Sequence, residues 1–286
     1  ALEPHVGRRE ARGARPSALA PPVPGPYRGV KPETRALARA KLKAFAAHLS
    51  ISVVVFVAII AACMTQWYPP PYFWIDGGIQ VTRLAAMVDI VLGPLLTLVV
   101  FRPGKASLRR DLAVIGIVQV AFLAWGVQVL HQERPLLSAF VGYPAERFYP
   151  IPRQYIADSA RPIDELVALS KERPALVAIR MPADRAEARE LVRVQLRGLP
   201  SVFRQTERYE RLDAHLNDVF LVSRSRERIR MVWPEAEARA DAFAAERGRK
   251  FEDYAFVLVH GRFQTALLVL ERPSGRYAGA VYLPWK

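Results

Sequence analysis

The sequence predicts a three-helix transmembrane region followed by a small α+β periplasmic domain with an antiparallel sheet. Hydrophobic residues make up 51% of the 286 residues, and the longest apolar runs lie in the first half of the chain. The second half instead alternates short runs rich in Val, Leu and aromatic residues with charged helical patterns. We therefore divide the chain into a disordered basic cytoplasmic tail at 1–43, a membrane domain at 44–132 and a periplasmic domain at 133–286.

Three apolar runs have the length of membrane-spanning helices. Residues 44–75 include no Asp, Glu, Lys or Arg, and 45–65 alone can cross a hydrocarbon layer of roughly 30 Å. A second run, 79–101, is apolar apart from one Arg and Asp89, and a third, 112–131, has no Asp, Glu, Lys or Arg. We expect one span in each of these three runs.

The basic residues beside the spans predict their direction, because Lys and Arg close to a span tend to remain in the cytoplasm. Such residues precede the first span and join the second to the third, whereas the loop at 66–78 has none. We therefore expect a multi-pass protein of the bacterial inner membrane, with a cytoplasmic N-terminus and a periplasmic C-terminal domain. The basic flanking residues are Arg28, Lys31, Arg35, Arg39, Lys41 and Lys43, then Arg102, Lys105, Arg109 and Arg110.

The N-terminal tail is rich in Pro, Ala and Arg, a composition typical of disorder. The chain carries a formal net charge of +14, to which this tail contributes. Its basic residues either hold the N-terminus in the cytoplasm or bind anionic membrane lipid. Because aromatic residues do not alternate with them, we expect no nucleic acid as a partner.

The C-terminal domain shows both strand and helix patterns. Pro273, Ser274 and Gly275 are typical of a hairpin turn between its last two strands, which favours an antiparallel sheet. The predicted strands are 175–180, 254–260, 263–270 and 276–283, and the predicted helices are 163–171, 183–197, 212–222 and 235–247.

Asp89 begins a polar motif in the middle of the second span. A carboxylate at that depth is costly unless it faces other helices or water. Gly93 and Thr97 follow at helical spacing and would let a neighbouring helix approach, and Pro94 frees the carbonyl of Ile90 and favours a kink. We therefore treat Asp89, Gly93, Pro94 and Thr97 as candidate partner-binding residues.

A structural role for Asp89 is the alternative. Its carboxyl group could bond within the protein to another polar side chain at a similar depth, such as Ser52 or Gln128. The sequence leaves both interpretations open.

An aromatic and proline-rich segment follows the first span directly. Its rings, including those of Trp67 and Tyr68, are of the kind that anchor a protein at the membrane interface. The three prolines from Pro69 onward and the pair Gly77 and Gly78 could instead form a stiff turn that presents the rings to a partner. All five residues are therefore further candidates for partner binding.

The sequence shows no pattern of catalytic, cofactor-binding or metal-binding residues. The five histidines lie in five separate segments, and neither a phosphate-binding loop nor a nucleophile elbow is present. Cys63 ends a short match to the lipoprotein processing pattern, but two further spans follow, so a free thiol is favoured over a lipidated one. We expect a protein that is not an enzyme and has no cofactor.

The order of motifs between 43 and 148 resembles the type IV pilin accessory proteins of the TfpX/TfpZ type. The matching motifs begin with Lys43-Ala44-Phe45, Trp67-Tyr68-Pro69 and Gly77-Gly78. They continue with Val88-Asp89, Leu92-Gly93-Pro94-Leu95-Leu96-Thr97-Leu98, Val100-Phe101, Lys105, Leu108, Asp111-Leu112, Gln119, Arg134-Pro135 and Arg147-Phe148.

This resemblance implies a chaperone-like accessory role in type IV pilin stability and pilus assembly, with the major pilin as partner. Two other functions stay open at this stage: a membrane-anchored periplasmic sensor and a pilin-modifying enzyme. A homo-oligomer is also left open.

Overall fold

The computed structural model describes residues 32–157, 159, 161–196 and 202–284. Among these residues, three helices are long and apolar enough to cross a membrane: Pro32–Gln66, Gly78–Val100 and Leu108–Glu133. We call them the first, second and third long helix. The predicted spans 45–65 and 112–131 lie inside the first and third long helices, and the predicted span 79–101 matches the second to within one residue at each end.

The first long helix (α1, Pro32–Gln66) begins within the segment that the sequence predicts as disordered. Residues 32–43 are therefore helical, while 1–31 lie outside the described residues. A proline at the first helical position lacks only an N–H that would have no helical partner there, and the Ala, Leu, Lys and Arg residues that follow favour helix. At 35 residues, α1 is about 52 Å long, more than a bilayer core requires.

The second long helix contains a π-helical turn. It is built of α3 (Gly78–Ala86), the π turn (Met87–Leu92) and α4 (Gly93–Val100), and the short α2 (Tyr72–Ile75) precedes it. At the end of the π turn the N–H of Gly93 bonds to the carbonyl of Val88, five residues back. The irregularity that the sequence predicts around Pro94 thus takes the form of a wider turn. The third long helix is α5 (Leu108–Glu133).

The C-terminal domain is built on one seven-stranded sheet, and this sheet is mixed. Its order is β4-β3-β1-β2-β5-β6-β7, with β1 and β3 parallel, β2 and β5 parallel, and the other neighbours antiparallel. The prediction of an antiparallel sheet is therefore wrong for the two parallel pairs, β1 with β3 and β2 with β5. The strands are β1 (Pro135–Val141), β2 (Arg147–Pro152), β3 (Ala175–Ile179), β4 (Tyr209–Arg211), β5 (Tyr254–His260), β6 (Thr265–Glu271) and β7 (Tyr277–Tyr282).

Helices of the domain are shorter than the sequence predicts. The predicted helix 163–171 ends at Val167, and 212–222 is a 3₁₀ turn (Leu212–His215) followed by a single short α-helix. The domain helices are α6 (Arg153–Ile156), α7 (Ile163–Val167), α8 (Arg185–Leu196), α9 (Leu216–Leu221), α10 (Arg226–Val232) and α11 (Pro234–Ala245).

The sheet is covered on both faces. Alternate residues of β5 show this arrangement, because Phe256 packs with the α10 and α11 side while Val257 packs on the opposite face. That opposite face contacts α9, the last turns of α1 around Cys63 and the end of α5 around Leu130. The Cys63 thiol is free and buried. The sheet therefore rests directly on one end of the long helices.

Candidate functional site

The segment between the first two long helices, residues 67–77, folds into the domain. We call it the connector. Tyr72 and Phe73 are each 2% exposed and Ile75 is fully buried, in one hydrophobic cluster with Phe148 and Val259 of the sheet. The main chain extends this contact. The N–H groups of Phe263 and Gln264, which follow β5, donate hydrogen bonds to the carbonyl of Ile75 at 3.0 and 3.2 Å. The connector is thus part of the domain core.

A charge cluster around the buried Asp76 fastens the connector to two other segments. Asp76, 2% exposed, accepts bonds from the main-chain N–H and the Nε of Arg262 at 3.2 and 3.4 Å. Nη2 of Arg262 donates to the main-chain carbonyl of Asp76 at 3.0 Å, and Nη1 pairs with Glu133 at the end of α5. One guanidinium therefore joins the connector, the third long helix and the turn between β5 and β6.

In this cluster, the favourable charge of Arg262 does not fully offset the burial of the Asp76 carboxyl group. Burial raises the pKa of Asp76 to about 6, and the charge and hydrogen bonds of Arg262 oppose that rise only in part. Within the described part of the chain, Oδ2 of Asp76 has no hydrogen-bond partner. The ionised carboxyl group is therefore costly to the fold near neutral pH.

Two tyrosines and a tryptophan complete the attachment of the connector. The hydroxyl of Tyr68 donates to the carbonyl of Leu130 at 3.2 Å, and that of Tyr277 donates to the carbonyl of Pro70 at 2.6 Å. The ring of Trp67 meets that of His131 edge-on, with centroids 5.1 Å apart.

Gly77 ends the connector and Gly78 begins α3, and at both positions a side chain would meet neighbouring atoms. Gly77 has φ +105°, in the left-handed region that glycine adopts without strain. A β-carbon there would lie 3.2 Å from the ring of Phe263, and one on Gly78 would lie 2.6 Å from the ring of Phe73. The candidates Trp67, Tyr68, Gly77 and Gly78 therefore contact the chain's own helices and domain, and the carbonyl of Pro69 accepts a bond from the N–H of Tyr72 within the connector. Their role toward a partner stays a prediction.

A different arrangement surrounds Asp89. Its side chain is 6% exposed and lines a cavity of about 180 Å³ together with His48, Ser52, Gly116 and Gln119. We call this cavity the groove. It lies between the first and third long helices, and the π turn of the second forms its floor. Oδ1 of Asp89 is buried and has no hydrogen-bond partner among the described residues.

The other members of the Asp89 motif contact neighbouring helices. Thr97, 3% exposed, is hydrogen-bonded through its hydroxyl to Nδ1 of His48 at 2.6 Å. Gly93 and Pro94 are buried, and a β-carbon on Gly93 would overlap the side-chain amide of Gln119. That amide donates to the main-chain carbonyl of Asp89 at 3.3 Å. Gly93 and Thr97 thus serve packing within the protein, while the Asp89 carboxyl group faces the groove.

Several residues of these two sites were not singled out as candidates from the sequence. Arg262 is one of many arginines in the domain, and His48 and Gln119 lie in helices distant in sequence from Asp89. No sequence motif near His48 or Gln119 predicts that either residue lies beside Asp89. A polar residue within an apolar run is the signal that could have marked His48 and Gln119 as site residues, and Gln119 also belongs to the motifs of the family resemblance.

Comparison with known proteins gives limited matches. No family model matches the chain, and no solved structure matches it. The similar curated proteins are from Dichelobacter nodosus. Each is a fimbrial assembly protein. The serogroup E1 protein is 30% identical over 95 residues, which are 32% of this chain and 37% of the relative.

Two further relatives match over the same length. The protein of serogroups C1 and C2 is 28% identical over 95 residues, 72% of its length, and that of serogroup I is 28% identical over 37% of its length. The chain thus spans well under half of the serogroup E1 and serogroup I proteins. The similarity covers a third of this chain and points to fimbrial assembly without distinguishing a subfamily.

Proposed function

We propose that this protein is an inner-membrane accessory factor for type IV pilus assembly, of the TfpX/TfpZ type, that supports the stability of the major pilin without catalysing a reaction. The observation that carries the proposal is the similarity to three fimbrial assembly proteins. The order of motifs from 43 to 148 supports the narrower family, and the three long apolar helices support a membrane location.

The attachment of the domain to the helices supports a chaperone-like mechanism. A pilin that waits in a membrane exposes a hydrophobic helix in the lipid and a folded head outside it. Because the connector and Arg262 tie the sheet to the ends of the long helices, this protein holds a membrane surface and an external surface in one fixed relation. It could therefore contact both parts of one pilin.

The external surface offers a cavity beside the attachment. A space of about 230 Å³ is lined by the rings of Tyr149, Tyr155 and Phe203 and by Asp76 and Arg262. Aromatic residues and arginine are enriched at protein recognition surfaces. We assign the contact with the pilin head to this part of the domain.

Deletion of the protein from a piliated strain tests the function. We expect the amount of pilin and of surface pili to fall several-fold and twitching to stop, with recovery when the full chain is restored. Unchanged pili would contradict the accessory role. An altered intact mass of pilin in the deletion strain would instead favour a modifying enzyme.

Reporter fusions test the proposed direction in the membrane. A reporter that is active only in the periplasm, fused after Lys286, should be active, and a reporter that is active only in the cytoplasm should not. The reverse pattern would contradict the periplasmic location of the domain.

A further inference from the structure

The groove contains a hydrogen-bond acceptor that the protein leaves unused. The second long helix packs against both of the other long helices, and Asp89 on its π turn forms the floor between them. Oδ1 of Asp89 is buried there and makes no hydrogen bond to any described residue, although the amide of Gln119 lies close enough to bond to the main-chain carbonyl of the same residue. A π turn within an α-helix often marks a functional site.

The position of the groove limits what can occupy it. It lies on helices long and apolar enough to cross a membrane, and its side walls include Val55, Val120 and Leu123. Lipid chains fill apolar space but donate no hydrogen bond, so they leave the Asp89 acceptor unsatisfied at a substantial cost. A volume of about 180 Å³ accommodates a side chain or two from a neighbouring helix.

We propose that a membrane-spanning helix of a pilus subunit docks in this groove and donates a hydrogen bond from a side chain to Asp89. The identity of the partner rests on the proposed function, whereas the need for a donor rests on the buried, unpartnered carboxyl oxygen. The partner helix is therefore apolar, with one donor-bearing side chain at the depth of Asp89.

A foreign helix suits the groove better than a second copy of this chain. Two copies paired symmetrically through their grooves would bring two carboxyl groups together, and these could bond only by sharing a proton, whereas a foreign side chain with an N–H or O–H group supplies the donor directly. The wall formed by α5 is also open, because a β-carbon on Gly116 would meet no atom within 4 Å. A small residue of this kind lets another helix approach closely.

Photo-crosslinking in the piliated strain tests the proposal. The probe is a photoreactive phenylalanine placed at Val120, which lines the groove and is 67% exposed. The matched control is the same probe at Val118, a valine on the opposite side of α5 that is 47% exposed. We expect a pilus-subunit adduct at Val120 with at least tenfold greater yield than at Val118.

Substitutions that fill or neutralise the groove sharpen the test. Gly116→Leu should lower the adduct yield at least tenfold while the protein remains in the membrane, since space is free at this position, whereas Val118→Leu should leave the yield unchanged. Asp89→Leu should also abolish the adduct. Asp89→Asn keeps a carbonyl acceptor and should retain most of it.

The possible outcomes test the docking proposal and the accessory role separately. Equal yields at Val120 and Val118, an adduct with a second copy of the chain, or an unchanged yield with Gly116→Leu would each overturn the docking proposal. If deletion of the protein removes pili but Val120 forms no pilus-subunit adduct, the groove is wrong and the accessory role stands. If deletion leaves pili unchanged yet the adduct forms, the docking stands and the accessory role is wrong.

Discussion

The connector and the groove differ in how many of their polar and aromatic side chains contact other groups of the same protein. In the connector, the rings of Tyr72 and Phe73 are buried in the domain core and Asp76 meets Arg262 from both main chain and side chain. In the groove, Oδ1 of Asp89 has no hydrogen-bond partner among the described residues. The residues predicted to bind a partner thus separate into a segment that packs within the fold and a motif whose carboxyl group lines a cavity, and their role toward a partner stays a prediction.

The largest expected effect is on the connector, through Phe73→Ala. Removing a ring that is 2% exposed leaves a cavity between the connector and the sheet, and such changes typically cost about 4 kcal/mol of the free energy of unfolding. The neighbouring Trp74 is 41% exposed, so Trp74→Ala is the matched control and should cost about 1 kcal/mol or less. Thermal unfolding of the detergent-solubilised protein measures both. Similar effects of the two substitutions would contradict the core role of the connector.

Arg262→Ala should have the next largest effect. It leaves the buried carboxyl group of Asp76 without its charged partner and releases Glu133, which we expect to cost about 3 kcal/mol at pH 7.5. Arg276 also pairs with a carboxylate, Glu271, but is 71% exposed. Arg276→Ala should therefore cost no more than about 0.5 kcal/mol. Equal losses in urea unfolding at pH 7.5 would show that Arg262 does not fasten the connector.

Titration of Asp76 should make the protein more stable in mild acid. Its folded pKa of about 6 lies above the ordinary value of an aspartate, so the fold binds the proton more tightly than the unfolded chain does. The contribution of Asp76 to the free energy of unfolding should rise by about 1.4 kcal/mol as pH falls from 7.5 to 5.0. Asp76→Asn should remove that part of the pH dependence. An identical pH profile of unfolding in both proteins would refute the raised pKa.

The sequence predicts the membrane region more fully than the domain. Continuous apolar runs locate the three long helices because each is a local property of some twenty residues. The mixed sheet depends on contacts between distant segments: β1 pairs in parallel with β3, and β2, with prolines at 150 and 152, lies beside β5. Prolines argue locally against a strand, which explains why β2 is absent from the prediction.

The same distinction applies to the sites. Asp89 is recognisable from the sequence because a carboxyl group within an apolar run is unusual in any fold. The attachment of the connector is not, since it joins Asp76 to Arg262, 186 residues later. The aromatic run at 67–74 has the composition of an interfacial belt, and only the sheet that it covers shows that Tyr72 and Phe73 belong to the core.

The smallest expected effect compares two glycines at the groove. A methyl group on Gly93 would displace the side-chain amide of Gln119 and its 3.3 Å bond to the Asp89 carbonyl, so Gly93→Ala should cost about 1 kcal/mol. Gly116→Ala meets no atom within 4 Å and should stabilise α5 by up to about 1 kcal/mol, because alanine favours helix over glycine. Thermal unfolding in detergent distinguishes the two. Destabilisation by Gly116→Ala would mean that the protein itself already fills the groove, and the contrast with the connector would then be lost.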